Sequence, residues 1–116
     1  MSKPIGPYSP VVRAGDFLIV SGQVGVVDGS LVEGGVAEQT RQAMENLATH
    51  LAAEGAALSD VVKTTCFLLE MDDFQTFNTA YAAALGSHRP ARSTIAVTGL
   101  PIGASVEVEA WAHSPR

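Results

Sequence analysis

Apolar positions along the chain fall into several short runs and two longer stripes of helical period. Val11 to Arg13 reads as a short strand stopped by Ala14-Gly15-Asp16. Phe17 to Ser21 is a stronger strand, rich in β-branched and aromatic residues. Gly22, Gly25, Gly29, Gly34 and Gly35 then mark a long irregular connection, with a brief extended piece near Leu31-Val32. Val36 to Glu54 has helical period: Ala43, Leu47 and Leu51 recur on one stripe, with Met44 and Ala48 beside it. Glu38, Gln39, Arg41, Gln42, Glu45 and Asn46 form its wet side, and Gly55 is placed as its stop. After a turn at Ser59-Asp60, Val61 to Leu69 is a long strand. Asp72 is placed to cap a second helix that carries Phe74, Phe77, Tyr81, Ala84 and Leu85 on one face and ends at Gly86. Arg92 to Val97 and Ser105 to Ala112 are the last strands, separated by a loop from Gly99 to Gly103.

The order β-β-α-β-α-β-β predicts one α+β domain over residues 1–116, a mixed sheet with both helices on one face. Alternation along the last strand sends Val106, Val108, Ala110 and Ala112 one way and Ser105, Glu107, Glu109 and Trp111 the other. In the preceding strand Ser93, Ile95 and Val97 oppose Arg92, Thr94 and Ala96. The apolar sets are expected to face the helices, which turns Arg92 away from them. Two strands are apolar on both faces, at Phe17-Leu18-Ile19-Val20 and at Cys66-Phe67-Leu68-Leu69. Two helices cover only one face, so a second subunit is expected on the other.

Composition sharpens that expectation. Hydrophobic residues make up 47% of the chain and charged ones only 16%, against about 25% charged in an average domain. Disorder is excluded for most of the chain by that balance. Net charge is −5, and the seven basic residues are scattered, so a nucleic-acid surface is not expected. A lone cysteine, Cys66, forms no internal disulfide, and no apolar run has the length of a membrane span. Met1 to Tyr8 lacks the apolar core of a secretory signal. The chain reads as soluble and cytoplasmic.

Arg92 is the first candidate for chemistry. It opens a strand after His88-Arg89-Pro90-Ala91, on the face expected to meet a neighbour. A buried guanidinium is costly unless paired. Glu107, taken to lie on the adjacent strand and the same face, would make it a structural ion pair. Left unpaired, it would grip the carboxylate of a small anion with two prongs, and Glu107 would be free to hold a water or act as a base. Ser21 and Gly22 could offer a hydroxyl and a backbone N–H to a ligand, or could simply be a strand end. His50, His88 and His113 have no ligand spacing for a metal, Cys66 reads as inert core, and no phosphate-cradling glycine loop opens a helix.

Several segments together resemble the RidA (YjgF) family, in the family's order: Gly6-Pro7-Tyr8-Ser9, Ser21-Gly22-Gln23, Glu38-Gln39-Thr40, Asn46-Leu47, Asp60 to Thr65, Asp73-Phe74, Asn78 to Tyr81, Pro90-Ala91-Arg92-Ser93, Leu100-Pro101 and Val106 to Ala110. The resemblance spans nearly the whole chain. It implies a chorismate-mutase-like (bacillus type) subunit that assembles as a homotrimer with three clefts between subunits. It also implies hydrolysis of reactive 2-imino and enamine acids, such as 2-iminobutanoate and 2-iminopropanoate, to 2-oxo acids and ammonia, without cofactor or metal. By position, Arg92 would bind the substrate carboxylate and Glu107 would orient water. Tyr8, Ser21, Gly22, Phe74 and Asn78 would line the cleft, some from the neighbouring chain. Two departures bear on specificity. Thr94, also implied as a substrate-binding residue through its backbone, stands where the family often has cysteine, which changes the shape and polarity of the pocket, and the stretch from Tyr81 to Arg92 is short.

Other activities consistent with the same residues are a non-catalytic trimer that binds a small carboxylate, an endoribonuclease, and a chaperone-like role. The first of these needs Arg92 but not Glu107. The second is disfavoured by the acidic charge.

Overall fold

The computed structural model describes Pro4 and residues 6–116. Met1 to Lys3 and Ile5 lie outside the described residues, and with them much of the segment read as carrying no leader. Strands β1 (Val11–Ala14) and β2 (Phe17–Val24) form a hairpin, and β3 (Val26–Val27) and β4 (Ser30–Leu31) a second, very short one. Helix α1 (Gly35–Ala53), strand β5 (Val61–Leu68), helix α2 (Phe74–Leu85), and strands β6 (Ala91–Ala96) and β7 (Val106–His113) follow. The main sheet has the order β1-β2-β7-β5-β6. Every pairing in it is antiparallel except β5 with β6, which are parallel because α2 carries the chain back across the sheet. The expected α+β layering therefore holds.

Both helices bury their stripes on one sheet face. From α1 come Met44, Leu47 and Leu51, and from α2 come Phe77, Tyr81 and Leu85, all 7% exposed or less. The sheet answers with Leu18 and Val20 on β2, Cys66 and Leu68 on β5, and the even-numbered residues of β7. Fully burying a side chain the size of Leu47 or Phe77 contributes about 1.5–3 kcal/mol. The opposite face stays open within the chain. Phe17, Ile95 and Trp111 are 38–48% exposed there, and the rings of Phe17 and Trp111 meet edge to face at 6.2 Å.

Local differences from the expectation have local causes. The glycine-rich connection contains the β3–β4 hairpin, whose two-residue strands are too short to show alternation. Asp72 sits inside a single 3-10 turn, and Asp73 precedes α2 without a side-chain capping bond. Gln39, read as part of the wet side of α1, is buried, because its Oε1 accepts the Ser105 N–H at 2.8 Å. Gly25 lies against the same residue, and a Cβ there would come within 2.6 Å of Gln39 Cα. A glycine is required wherever two backbones approach this closely. Asn46 Nδ2 donates to Val24 O and Val26 O, closing the carbonyls where β2 gives way to the hairpin. No helix among the described residues is long and apolar enough to cross a membrane.

Candidate functional site

Strand β6 is a sheet edge, and its register with β5 decides where Arg92 points. Arg92 lies opposite Thr64 and Thr94 opposite Cys66. Thr64 and Cys66 are buried beneath the helices, so Arg92 and Thr94 face the helix layer. This reverses the expected orientation. The alternation along β6 is as read, but Ile95 and Ser93 are the residues on the open face, where Ser93 Oγ accepts from Lys63 Nζ at 2.9 Å. An apolar residue on β6 is no guide to the helix side when both sheet faces are apolar.

Arg92 is half-buried in a pocket built by α2. Its guanidinium carbon lies 5.5 Å from the Phe74 ring centroid, 5.5 Å from Phe77 and 5.0 Å from Tyr81. Nη1 donates to Asn78 Oδ1 at 2.9 Å. Phe74, Asn78 and Tyr81 fall on one helical stripe, and the crossover from β5 to β6 lays that stripe over Arg92. Among the described residues no carboxylate pairs with it; the ion pairs present join Arg41 to Glu38 and Glu45 on α1. Ring faces attract a cation without neutralising it. Four of the five guanidinium N–H donors have no protein acceptor among the described residues.

Beneath the guanidinium lies a buried polar column. Tyr81 Oη and Thr64 Oγ1 share a hydrogen bond of 2.6 Å, and the Cys66 thiol donates to Thr64 Oγ1 at 3.8 Å. Burial pushes the Cys66 thiol up to about 11 and raises the Tyr81 hydroxyl as well. Cys66 is accordingly inert core, as expected. Thr94 Oγ1 is buried toward the Cys66 sulfur and lacks a nitrogen or oxygen partner among the described residues. Thr64, Phe77 and Tyr81 were not among the site residues read from the sequence. Phe77 and Tyr81 were assigned to the core face of α2, and their spacing with Phe74 was the available signal.

Glu107 is elsewhere. Strand β7 pairs with β2 and β5, not with β6, and Glu107 lies opposite Phe67 and Val24. It points to the open face, so β5 and the thickness of the sheet separate it from Arg92. The expected ion pair on one face does not form. Glu107 has no hydrogen-bond or ion-pair partner among the described residues. Burial, then the Glu109 charge, push its carboxyl above the usual glutamate range. Gly22 borders it where the register of β2 shifts between Val20 and Gln23. A Cβ on Gly22 would lie 2.7 Å from Glu107 Oε2, so the absent side chain is what leaves room for the carboxylate.

Ser21 does not present its donors to a ligand. Its N–H donates to Pro10 O at 2.9 Å and its hydroxyl to Ser9 O at 2.7 Å. Both bonds hold the arm that carries Tyr8 against β2. Tyr8 is 47% exposed and, with Gly22, Val26, Asn46, His50 and Ile102, lines a cavity of about 600 Å³ between the arm, the short hairpin and α1. Neither Arg92 nor Glu107 lines it. Burial lowers the pKa of His50. Among the described residues no three His, Cys, Asp or Glu side chains come together to hold a metal. Arg92 with Phe74, Asn78 and Thr94 thus forms one group on the helix side of the sheet, and Glu107 with Gly22 a second on the open side, while Tyr8 lines the separate cavity beside α1 and Ser21 is bonded to the arm.

The sequence model of the family described as Endoribonuclease L-PSP matches residues 1–114. The chain belongs to this family. Among curated relatives, the human 2-iminobutanoate/2-iminopropanoate deaminase is 43% identical over 110 residues, covering 93% of this chain and 80% of the relative. A RutC family protein from Pyrococcus horikoshii is 42% identical over 113 residues, 96% of this chain and 90% of the relative. The crystal structure of the E. coli YjgF gene product superposes with a TM-score of 0.89 at 38% identity, covering 95% of this chain and 90% of that one. The two helices on a mixed, mostly antiparallel sheet are the YjgF, chorismate-mutase-like fold. Relatives of this similarity that are named as imine deaminases support imine deamination as the class of reaction for the family member described here.

Proposed function

We propose that this protein hydrolyses small 2-imino acids, such as 2-iminobutanoate and 2-iminopropanoate, to 2-oxo acids and ammonia. The observation that carries the reading is Arg92: a half-buried cation held by three ring faces and an amide oxygen, with no carboxylate partner among the described residues. A small organic acid supplies the missing charge, and the guanidinium fork suits its two oxygens.

The reaction follows from the two groups of residues. With the carboxylate on Arg92, the adjacent C=N carbon is fixed in place and its protonated imine is electrophilic. Glu107, unpartnered and with a raised pKa, takes a proton from water as the oxygen bonds to that carbon. Protonated Glu107 returns its proton to the nitrogen of the resulting carbinolamine, the C–N bond breaks to release ammonia, and the hydroxyl proton passes to water, leaving the 2-oxo acid and a carboxylate ready for the next turnover. One chain presents the two groups on opposite faces, so a working cleft needs Arg92 of one subunit beside Glu107 of another. The exposed apolar open face, with Phe17, Ile95 and Trp111, supports such an assembly, and the homotrimer is the form we assign. In that cleft Phe74, Asn78 and Thr94 come from the subunit that supplies Arg92, and Tyr8, Ser21 and Gly22 from the one that supplies Glu107.

The test is Arg92→Ala, assayed on imines generated in situ from several amino acids by an amino-acid oxidase. Losing two charge-assisted hydrogen bonds at about 1.5–3 kcal/mol each should lower kcat/KM by about 10²–10⁴, with circular dichroism and subunit state unchanged. Activity within tenfold of the wild type would remove Arg92 from the reading. RNA cleavage by the purified protein, unaffected by the same substitution, would point instead to the activity in the family's description.

A further inference from the structure

We infer that Tyr81 is a positioning residue for the anion grip of Arg92, and that its hydroxyl bond to Thr64 sets the ring for that task. The inference rests on the reading of Arg92 as the carboxylate-binding group. Three elements close a loop of contacts here. Thr64 on β5 lies directly opposite Arg92 on β6, at the level where the arginine leaves the sheet. Tyr81 on α2 bonds to Thr64 at 2.6 Å, and its ring lies 5.0 Å from the guanidinium carbon, nearer than the rings of Phe74 and Phe77. Tyr81 is 5% exposed and Thr64 1%, so neither hydroxyl has water as a ready alternative. Breaking the pair would leave the buried Tyr81 hydroxyl unsatisfied and Thr64 Oγ1 with only the weak Cys66 thiol bond, which holds the ring in one orientation.

A phenylalanine would fill the same volume; the hydroxyl is what ties the ring to the strand beside Arg92. The Tyr81 ring meets Phe77 at a 39° tilt and 5.3 Å, so the two form a canted support under the cation. An acidic residue in this place would hold the arginine as firmly but would compete with the ligand for it. Aromatic faces orient the guanidinium, exclude water from one side and leave its positive charge to the incoming acid. Tyr81 touches no reacting atom in this scheme; it acts through Arg92.

The experiment separates this role from general packing. Tyr81→Leu, Tyr81→Phe, Thr64→Val and the double variant are compared with wild type and Arg92→Ala. The measurements are steady-state kinetics on an imino acid, binding of the product 2-oxo acid and of its uncharged amide, and the exchange rate of the Arg92 guanidinium nitrogens by NMR. Tyr81→Leu should raise KM and the Kd of the oxo acid roughly tenfold, with kcat changed less than about twofold. Amide binding should not move, and guanidinium rotation should accelerate. Tyr81→Phe and Thr64→Val should each weaken acid binding by about two- to threefold, and the double variant should be no worse than either.

Equal weakening of acid and amide would overturn the inference, as would unchanged acid binding in Tyr81→Leu while Arg92→Ala abolishes it. If Tyr81→Leu does not fold, the phenylalanine and valine variants decide: an unchanged acid-to-amide ratio and additive effects would sink the proposal. An Arg92→Ala variant that still binds the acid would instead remove the reading underneath, and the inference with it.

Discussion

Replacing Glu107 by Gln should separate turnover from stability. Gln keeps the size of the side chain and removes a charge that has no protein partner among the described residues. Glu109 lies two residues along the same strand face, about 6.8 Å away at an extended rise of about 3.4 Å per residue. Repulsion between two carboxylates at that separation is about 0.6 kcal/mol at the dielectric of water and about 2.4 kcal/mol at an effective value of 20. Both groups are half-exposed, so the lower figure applies. Removing the charge should therefore stabilise the fold by about 0.6 kcal/mol at pH 7 and raise Tm by about 3 °C. The Glu107 carboxyl has a folded pKa above its unfolded value. Its contribution to stability is thus fully present below the unfolded pKa and is lost as pH rises through the folded one. The advantage of the Gln variant should accordingly be full at neutral pH and vanish in acid.

Turnover moves the other way. A general base contributes about 10²–10⁴ in rate, equivalent to about 3–5 kcal/mol of barrier, so kcat/KM should fall by that factor. Binding of the 2-oxo acid should shift less than about threefold if Arg92 is the group that grips it, as proposed. Thermal melts between about pH 3 and 8, run beside the coupled oxidase assay, check both halves. Retention of turnover within tenfold would refute the base role. A lower Tm at neutral pH would refute the account of the carboxylate as a strained, unpaired charge.

Two other substitutions test the frame around the site. Gly25→Ala places a Cβ about where the α1 backbone is, 2.6 Å from Gln39 Cα; urea unfolding should show a loss of at least about 1–3 kcal/mol, and an unchanged midpoint would contradict the close approach of the residue between β2 and β3 to α1. Ile95→Lys puts a charge on the exposed open face. If that face joins subunits, sedimentation velocity should show smaller species and imine hydrolysis should fall in parallel, although Ile95 is on the face opposite Arg92; an intact assembly would move the interface elsewhere.

Much of the architecture was legible because periodicity is a local property. The stripes at Ala43-Leu47-Leu51 and Phe74-Phe77-Tyr81 announced both helices, and every strand of the main sheet except the edges of its runs lay where β-branched residues clustered. Sheet order is not local. Nothing in the spacing of Arg92 and Glu107 reveals that β5 runs between their strands, so a pairing of adjacent strands was a natural but wrong reading. Alternation along β6 separates two sets of residues without saying which set is inward, and with both faces apolar the usual cue fails. Gln39 shows the same limit for helices, since an amide can be buried once a backbone N–H binds it. Of the doubly apolar strands, β2 does carry an exposed Phe17 on the second sheet face. The aromatic surround of Arg92 was hidden because it joins residues 11 and more apart through the parallel crossover.

Placing Arg92 and Glu107 on opposite sides of one sheet has a genetic consequence. Two inactive proteins, one lacking the arginine and one lacking the glutamate, each still carry the half that the other has lost. Unfolded together and refolded as mixed assemblies from equal amounts, they should recover about a quarter of the native rate, the chance that a shared cleft draws a sound half from each parent. Either protein refolded alone should recover none.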